Sequence, residues 1–255
     1  MRKRYAPLGW PRRDPRHHRF AMPNKVWEYH LKPVEFMLLS CLCYHFSSNH
    51  GDEMVPAEAV SEAVHLSVTS VKKYMTGLLS KELIIDGWSL APTLKITNSE
   101  IFFTLPNEVF LLKLSPSAFV VYAYLLLIEN RRTHTCHPSY NTIAAATGMS
   151  KNTAMKSIRD LLETGLISVE SSSYFDKRGM KWQGNNLYTI LPVRSAVDAL
   201  HQRQLRQLDL EAERRRARRQ QEEYNRCRPR AALCAPASAQ TEQDLPQLRR
   251  PPCAP

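Results

Sequence analysis

The chain has 255 residues, is 43% hydrophobic and 23% charged, and carries a formal net charge of +11. That apolar share supports packed cores and excludes a wholly disordered protein. The longest apolar run, Phe119 to Ile128, is about half the ~20 residues a membrane span needs, so no membrane partner is expected.

Met1-Arg-Lys-Arg-Tyr is basic with no apolar stretch behind it, so no signal peptide is expected and the cytoplasm is the expected compartment. Residues 1–20 hold seven basic side chains and one acid, and read as a basic disordered arm. Such an arm either adds sequence-independent phosphate contacts or stays solvated. Residues 21–193 balance fifteen bases against fifteen acids, so the high pI belongs to the two ends.

A shift of 83 residues aligns the middle of the chain with itself without a gap. Met22-Pro23-Asn24 falls on Leu105-Pro106-Asn107, Trp27 on Phe110, and Phe36 on Phe119. Leu78-Leu79 falls on Leu161-Leu162, and Leu83-Ile84 on Leu166-Ile167. One register held over more than sixty residues predicts two domains of one fold, 21–101 and 102–193.

The first copy reads as helices over 33–46, 56–64 and 67–81, a strand over 83–86, and a short apolar hairpin from Gly87 to Ile96. Cys41 and Cys43 lie on its buried first helix as small core residues. Its third helix offers Thr69, Ser70, Lys72 and Lys73, while Glu58 and Glu62 on the helix before it would repel phosphate. This copy either contacts DNA or packs against its twin or a second chain, which makes a homodimer one expected partner.

The second copy is clearer. Ser115 caps a helix with Pro116 in its first turn, running to about Asn130. Phe119, Val120, Val121, Tyr124, Leu125, Leu126 and Ile128 make it apolar nearly all round, so it should be buried. A polar loop from Arg131 to Cys136 follows. Pro138-Ser139 opens a short helix that Gly148 ends. Ser150 caps a third helix with one apolar face (Ala154, Ile158, Leu161, Leu162), and Gly165 ends it. Leu166–Val169 and Asn186–Leu191 read as strands around a Ser-, Gly- and charge-rich stretch. Helix, helix-turn-helix, hairpin is the order of a winged helix. The fold class predicted is mainly α with small β-hairpins: tandem winged helix-turn-helix domains, a charged C-terminal helix and a disordered tail.

In a helix-turn-helix the second helix enters the major groove with its N-terminal residues leading. Opposite the core residue Ile158 lie Asn152, Thr153 and Lys156, with Arg159 at the flank. Asn pairs bidentately with adenine, and Lys and Arg pair with guanine. Ser150 caps while free N–H groups beside it, including that of Lys151, face a phosphate. The hairpin loop carries Lys177, Arg178 and Lys181, which suit the phosphate backbone or the minor groove. The bland alternative is a merely solvated polar face.

Thr104-Leu-Pro-Asn-Glu-Val-Phe110, Leu114-Ser-Pro116, Cys136-His-Pro-Ser-Tyr140, Thr142-Ile143, Ser150-Lys-Asn-Thr153 and Gly184-Asn-Asn-Leu-Tyr-Thr-Ile190 carry a resemblance. The second copy resembles helix-turn-helix proteins of bacterial conjugative and plasmid-like elements. More loosely, it is similar to the N-terminal winged helix of plasmid replication initiators. The resemblance implies sequence-specific binding of double-stranded DNA, in transcription or replication of a mobile element. Val68-Thr69-Ser70 replaces the Lys-Asn-Thr segment in the first copy.

Residues 194–228 read as a charged helix, with Leu200, Leu205 and Leu208 as a partial stripe and Arg214-Arg-Arg-Ala-Arg-Arg219 as a basic run. Residues 229–255 are rich in Pro, Ala and Gln and read as a disordered tail. His134, Cys136 and His137 lack four-ligand spacing, so no metal is expected. No phosphate-cradling glycine pattern or catalytic arrangement stands out; no enzyme, cofactor or small-molecule substrate is expected. A transcriptional regulator leads. A replication initiator or a protein-interaction adaptor are the alternatives.

Overall fold

The computed structural model describes residues 18–47, 55–85, 88–94, 101–175, 178 and 180–227. Lys177, residues 1–17 and the tail after Cys227 lie outside the described residues. The chain is mainly helical with small antiparallel sheets, and divides into a compact unit Met1–Gln204 and a second unit Leu205–Pro255.

The first copy runs β1 (Arg19–Pro23), a 3-10 turn (Asn24–Tyr29), α1 (Pro33–Ser47), α2 (Ala57–Val64), α3 (Val68–Ser80), then β2 (Ile84–Ile85) and β3 (Ser89–Leu90). The second runs β4 (Phe102–Pro106), a 3-10 turn (Asn107–Leu112), α4 (Pro116–Ile128), β5 (Thr135–Cys136), α5 (Tyr140–Thr147), α6 (Lys151–Thr164), β6 (Ile167–Glu170), β7 (Ser173–Phe175), β8 (Lys181–Gln183) and β9 (Leu187–Ile190). Helix α7 (Val193–Cys227) follows.

The copies meet about a local two-fold relationship. β1 and β4 pair antiparallel with Ala21 opposite Thr104, residues 83 apart in sequence. The flanking bonds repeat in the same way: the Asn24 N–H donates to the Ile101 carbonyl at 3.0 Å, and the Asn107 N–H donates to the His18 carbonyl at 2.9 Å. Phe20 stacks on Phe110 at 5.9 Å, and Phe103 meets Trp27 at 6.1 Å, the same pair with the copies exchanged. Phe20, which the sequence places in the arm, is therefore core: ring packing across the copies removes it from water.

Helices α1 and α4 are apolar nearly all round because each is covered by its own helix pair and by its twin. Tyr124 stays half-buried and Ile128 is 38% exposed, where the last turn of α4 leaves the core. Thr135–Cys136, expected as loop, is a strand: it pairs with Thr189 and Tyr188 and completes a sheet of order β5-β9-β6.

Backbone conformation repeats too. His30 and Lys113 are left-handed with φ of 45° and 51°. His65 (55°) matches Gly148 (64°), and Glu82 (55°) matches Gly165 (80°). These residues end the helices, so only the second copy uses glycine, which reaches this region without a Cβ penalty.

An acid is exchanged between the copies. Glu35 on α1 is buried; its Oε2 accepts from Lys81 Nζ at 2.7 Å and from the Lys32 N–H at 3.1 Å. Gly77 on α3 leaves room, since a Cβ there would lie 2.9 Å from Glu35 Oε1. The second copy has Ala118 and Asp160 at the matching positions, so the bulk moves from the first helix to the third.

Candidate nucleic-acid interface

Four helices start on a serine whose hydroxyl accepts a free backbone N–H. Ser67 accepts from Ser70, Ser115 from Ala118, Ser139 from Thr142 and Ser150 from Thr153, at 3.0–3.3 Å. Each cap is worth about 0.5–2 kcal/mol. At α6 this fixes the chain after a turn of two residues, Gly148-Met149. Ser150 and Thr153 are also joined hydroxyl to hydroxyl at 2.8 Å, which holds Thr153 half-buried against the helix start.

The buried face of α6 is Ala154, Ser157, Ile158 and Leu161. Leu162, expected on that face, is 43% exposed; its equivalent Leu79 is 41% exposed. The step from 161 to 162 turns the helix about 100°, and the small Ser157 takes the inner place instead.

Outside lie Lys151, Asn152, Met155, Lys156 and Arg159, all exposed. Asn152, Lys156 and Arg159 stand at i, i+4 and i+7, one stripe along one face. On α3, Thr69, Lys72 and Lys73 are exposed and Ser70 is half-buried, its hydroxyl 2.8 Å from Ser67 Oγ. Lys73 and Lys156 occupy equivalent positions, whereas Thr69 faces the role of Asn152 and Lys72 that of Met155. Glu58 and Glu62 on α2 are exposed.

The hairpin is longer than a single strand pair. β6 pairs with β9, and β7 with β8 continues outward. Arg178 is exposed at the turn. Lys181, expected in the loop, begins strand β8, because the backbone pairing Phe175–Lys181 extends the ladder that far.

An open cleft of about 400 Å³ lies between the starts of α5 and α6 and the start of β9. Its walls include Tyr140, Asn141, Lys151, Met155, Asn185 and Asn186. Asn186 Nδ2 donates to Tyr140 Oη at 3.0 Å and to Tyr188 Oη at 3.4 Å, tying the hairpin base to α5. Burial pushes the Tyr188 phenol up to about 12, so it stays protonated and keeps its place in this network. In the sequence Asn185 and Asn186 stand out only as part of the Gly184–Ile190 motif and a strand start, and Asn141 and Met155 carry no signal.

Residues 112–167 match the family model of a helix-turn-helix domain. That span holds α4, β5, α5 and α6, so the match and the geometry single out the same helix pair. No curated protein matches the chain. A solved chain from Methanosarcina mazei Go1, described as a possible transcriptional regulator, is 15% identical; the match covers 47% of this chain and 94% of that one, with a TM-score of 0.30. A likeness that slight carries no inference about function. Among the described residues no helix is long and apolar enough to cross a membrane.

Proposed function

We propose that the protein binds double-stranded DNA sequence-specifically and regulates transcription. The observation that carries this reading is α6: one face is buried, and the opposite face offers an amide, a lysine and an arginine in one stripe. In this reading Asn152 and Lys156 read base edges in the major groove, and Arg159 meets a phosphate or a guanine. Ser150 and Lys151 hold a phosphate at the start of the helix, while Thr153 positions the cap. Arg178, with Lys177 and Lys181, follows the backbone.

The first copy makes the weaker half of the interface. Thr69, Ser70, Lys72 and Lys73 offer cations and hydroxyls but no amide, so they lack the bidentate partner for adenine that Asn152 supplies. We place the two winged units at 21–101 and 102–193, with Arg19 and Phe20 of β1 added to the first. A bacterial mobile element as the setting rests on the resemblance of Thr104–Phe110 and Ser150–Thr153 to proteins of such elements.

Enrichment of random duplexes by the full chain tests the reading. It predicts a defined motif, protected in footprints without strand opening. Duplexes recovered without a motif oppose sequence-specific binding. Melting of A·T-rich DNA beside the bound site shifts the role from regulation to replication initiation.

A further inference from the structure

The distal part of α7 carries five arginines in six positions, Arg214, Arg215, Arg216, Arg218 and Arg219, every one exposed. At 100° per residue, four of them (214, 215, 218, 219) fall within an arc of about 140°, so they form a ridge. The acids stand on either side in sequence: Asp209, Glu211 and Glu213 before, Glu222 and Glu223 after. Sequence spacing allows three i,i+4 pairs, yet among the described residues one forms, Arg215 with Glu211 at 3.7 Å between exposed groups. Arg218 with Glu222 and Arg219 with Glu223 place the cation before the acid, the less favourable order. The ridge therefore keeps most of its charge free, at a cost in self-repulsion that a polyanion would remove.

The choice of cation is the second observation. Residues 21–193 use eleven lysines and four arginines; residues 194–255 use thirteen arginines and no lysine. Lys and Arg have similar helix propensity and equal charge, so a helix that only needs solvation has no reason for this change. Arginine differs by its planar fork of donors, which matches a phosphate with two parallel hydrogen bonds, and by its weaker hydration.

We infer that the Arg214–Arg219 ridge is a second DNA contact, a clamp on the phosphate backbone flanking the site read by α6. This deepens the reading above and rests on it. The ridge adds affinity without base preference, and covalent attachment alone raises its effective concentration beside a duplex already held.

The test uses the full chain and a 40-base-pair random-sequence duplex, with binding followed by anisotropy between about 50 and 200 mM salt. The variant R214Q/R215Q/R216Q/R218Q/R219Q keeps helix-forming side chains and removes the charge; circular dichroism checks its helix content. Loss of about four phosphate contacts should flatten the slope of log K against log salt by roughly 3 to 4. The corresponding five-lysine variant should keep most of the slope and lose affinity. A wild-type slope in the glutamine variant overturns the clamp, even if α6 reads DNA. If instead Asn152→Ala and Lys156→Ala leave the preference for the enriched motif over this duplex intact while the glutamine variant still loses its slope, the α6 reading fails and the phosphate contact stands. A full chain that ignores duplex DNA at 50 mM salt but holds single-stranded RNA through these arginines overturns both.

Discussion

Phe36 and Phe119 are the same residue of the two copies, and their rings meet edge to face at 6.3 Å, where α1 packs on α4. Each copy thus completes the other's core through its own equivalent side chain. This is the geometry of an isologous dimer interface, contained here in one chain.

Truncation at either ring is expected to be felt by both copies. Phe119→Ala should cost about 3–5 kcal/mol, with one unfolding transition and not two. Chemical denaturation followed by tryptophan fluorescence and by circular dichroism checks this. Two separated transitions would mean that the copies fold independently.

The helix ends predict asymmetric responses to glycine. His65→Gly and Glu82→Gly remove a Cβ from left-handed backbone and should stabilise, by about 0.5–1 kcal/mol after the entropy cost of glycine. Gly148→Ala and Gly165→Ala should destabilise by about 1 kcal/mol. Thermal melts of the four variants provide the comparison.

Cys41, Cys43 and Cys136 are buried, and burial pushes each thiol up to about 12. Protonated thiols are poor nucleophiles, so at pH 8 these three should resist a thiol reagent until the protein unfolds. The unfolded chain releases these protons near pH 9 while the native state retains them to about 12. The stability these thiols contribute is therefore fully present below about pH 9 and is lost as pH rises from there toward 12. Replacing Cys136 with Ala should shallow that alkaline loss, read from denaturant midpoints between pH 8 and 10.5.

The α6 cap links stability to binding. Ser150→Ala removes the acceptor for the Thr153 N–H and should cost about 1 kcal/mol of stability. It also frees the Thr153 hydroxyl. Ser150→Asp keeps a cap but sets a negative charge beside the proposed phosphate, so it should retain stability and lose DNA affinity. Equal affinity of the Asp variant and the wild type would place the phosphate elsewhere.

Much of this fold was legible because its signals are local. Ser115, Ser139 and Ser150 start helices by capping a nearby N–H, and Gly148 and Gly165 end them by backbone freedom. The repeat was legible because both copies kept Pro23-Asn24 and Pro106-Asn107 in one register. What was not legible depends on distant partners. Thr135–Cys136 is a strand only because β9 returns to it some fifty residues later. Leu162 looked like core because Leu161 is; one residue of helix, a turn of about 100°, decides between them. The Tyr140–Asn186 contact joins segments 46 residues apart, which no spacing rule anticipates. On the first copy, His65 and Glu82 hide the turn chemistry that glycine announces in the second.

The central claim concerns the exposed stripe of α6. Its most direct measurement is affinity of the full chain, wild type beside Asn152→Ala and Lys156→Ala, for the enriched duplex and its single-base variants. The account predicts a loss of about 1–3 kcal/mol for each variant on the enriched duplex, with discrimination erased at one base position and retained at the others. Unchanged affinity and unchanged base preference in both variants would contradict it.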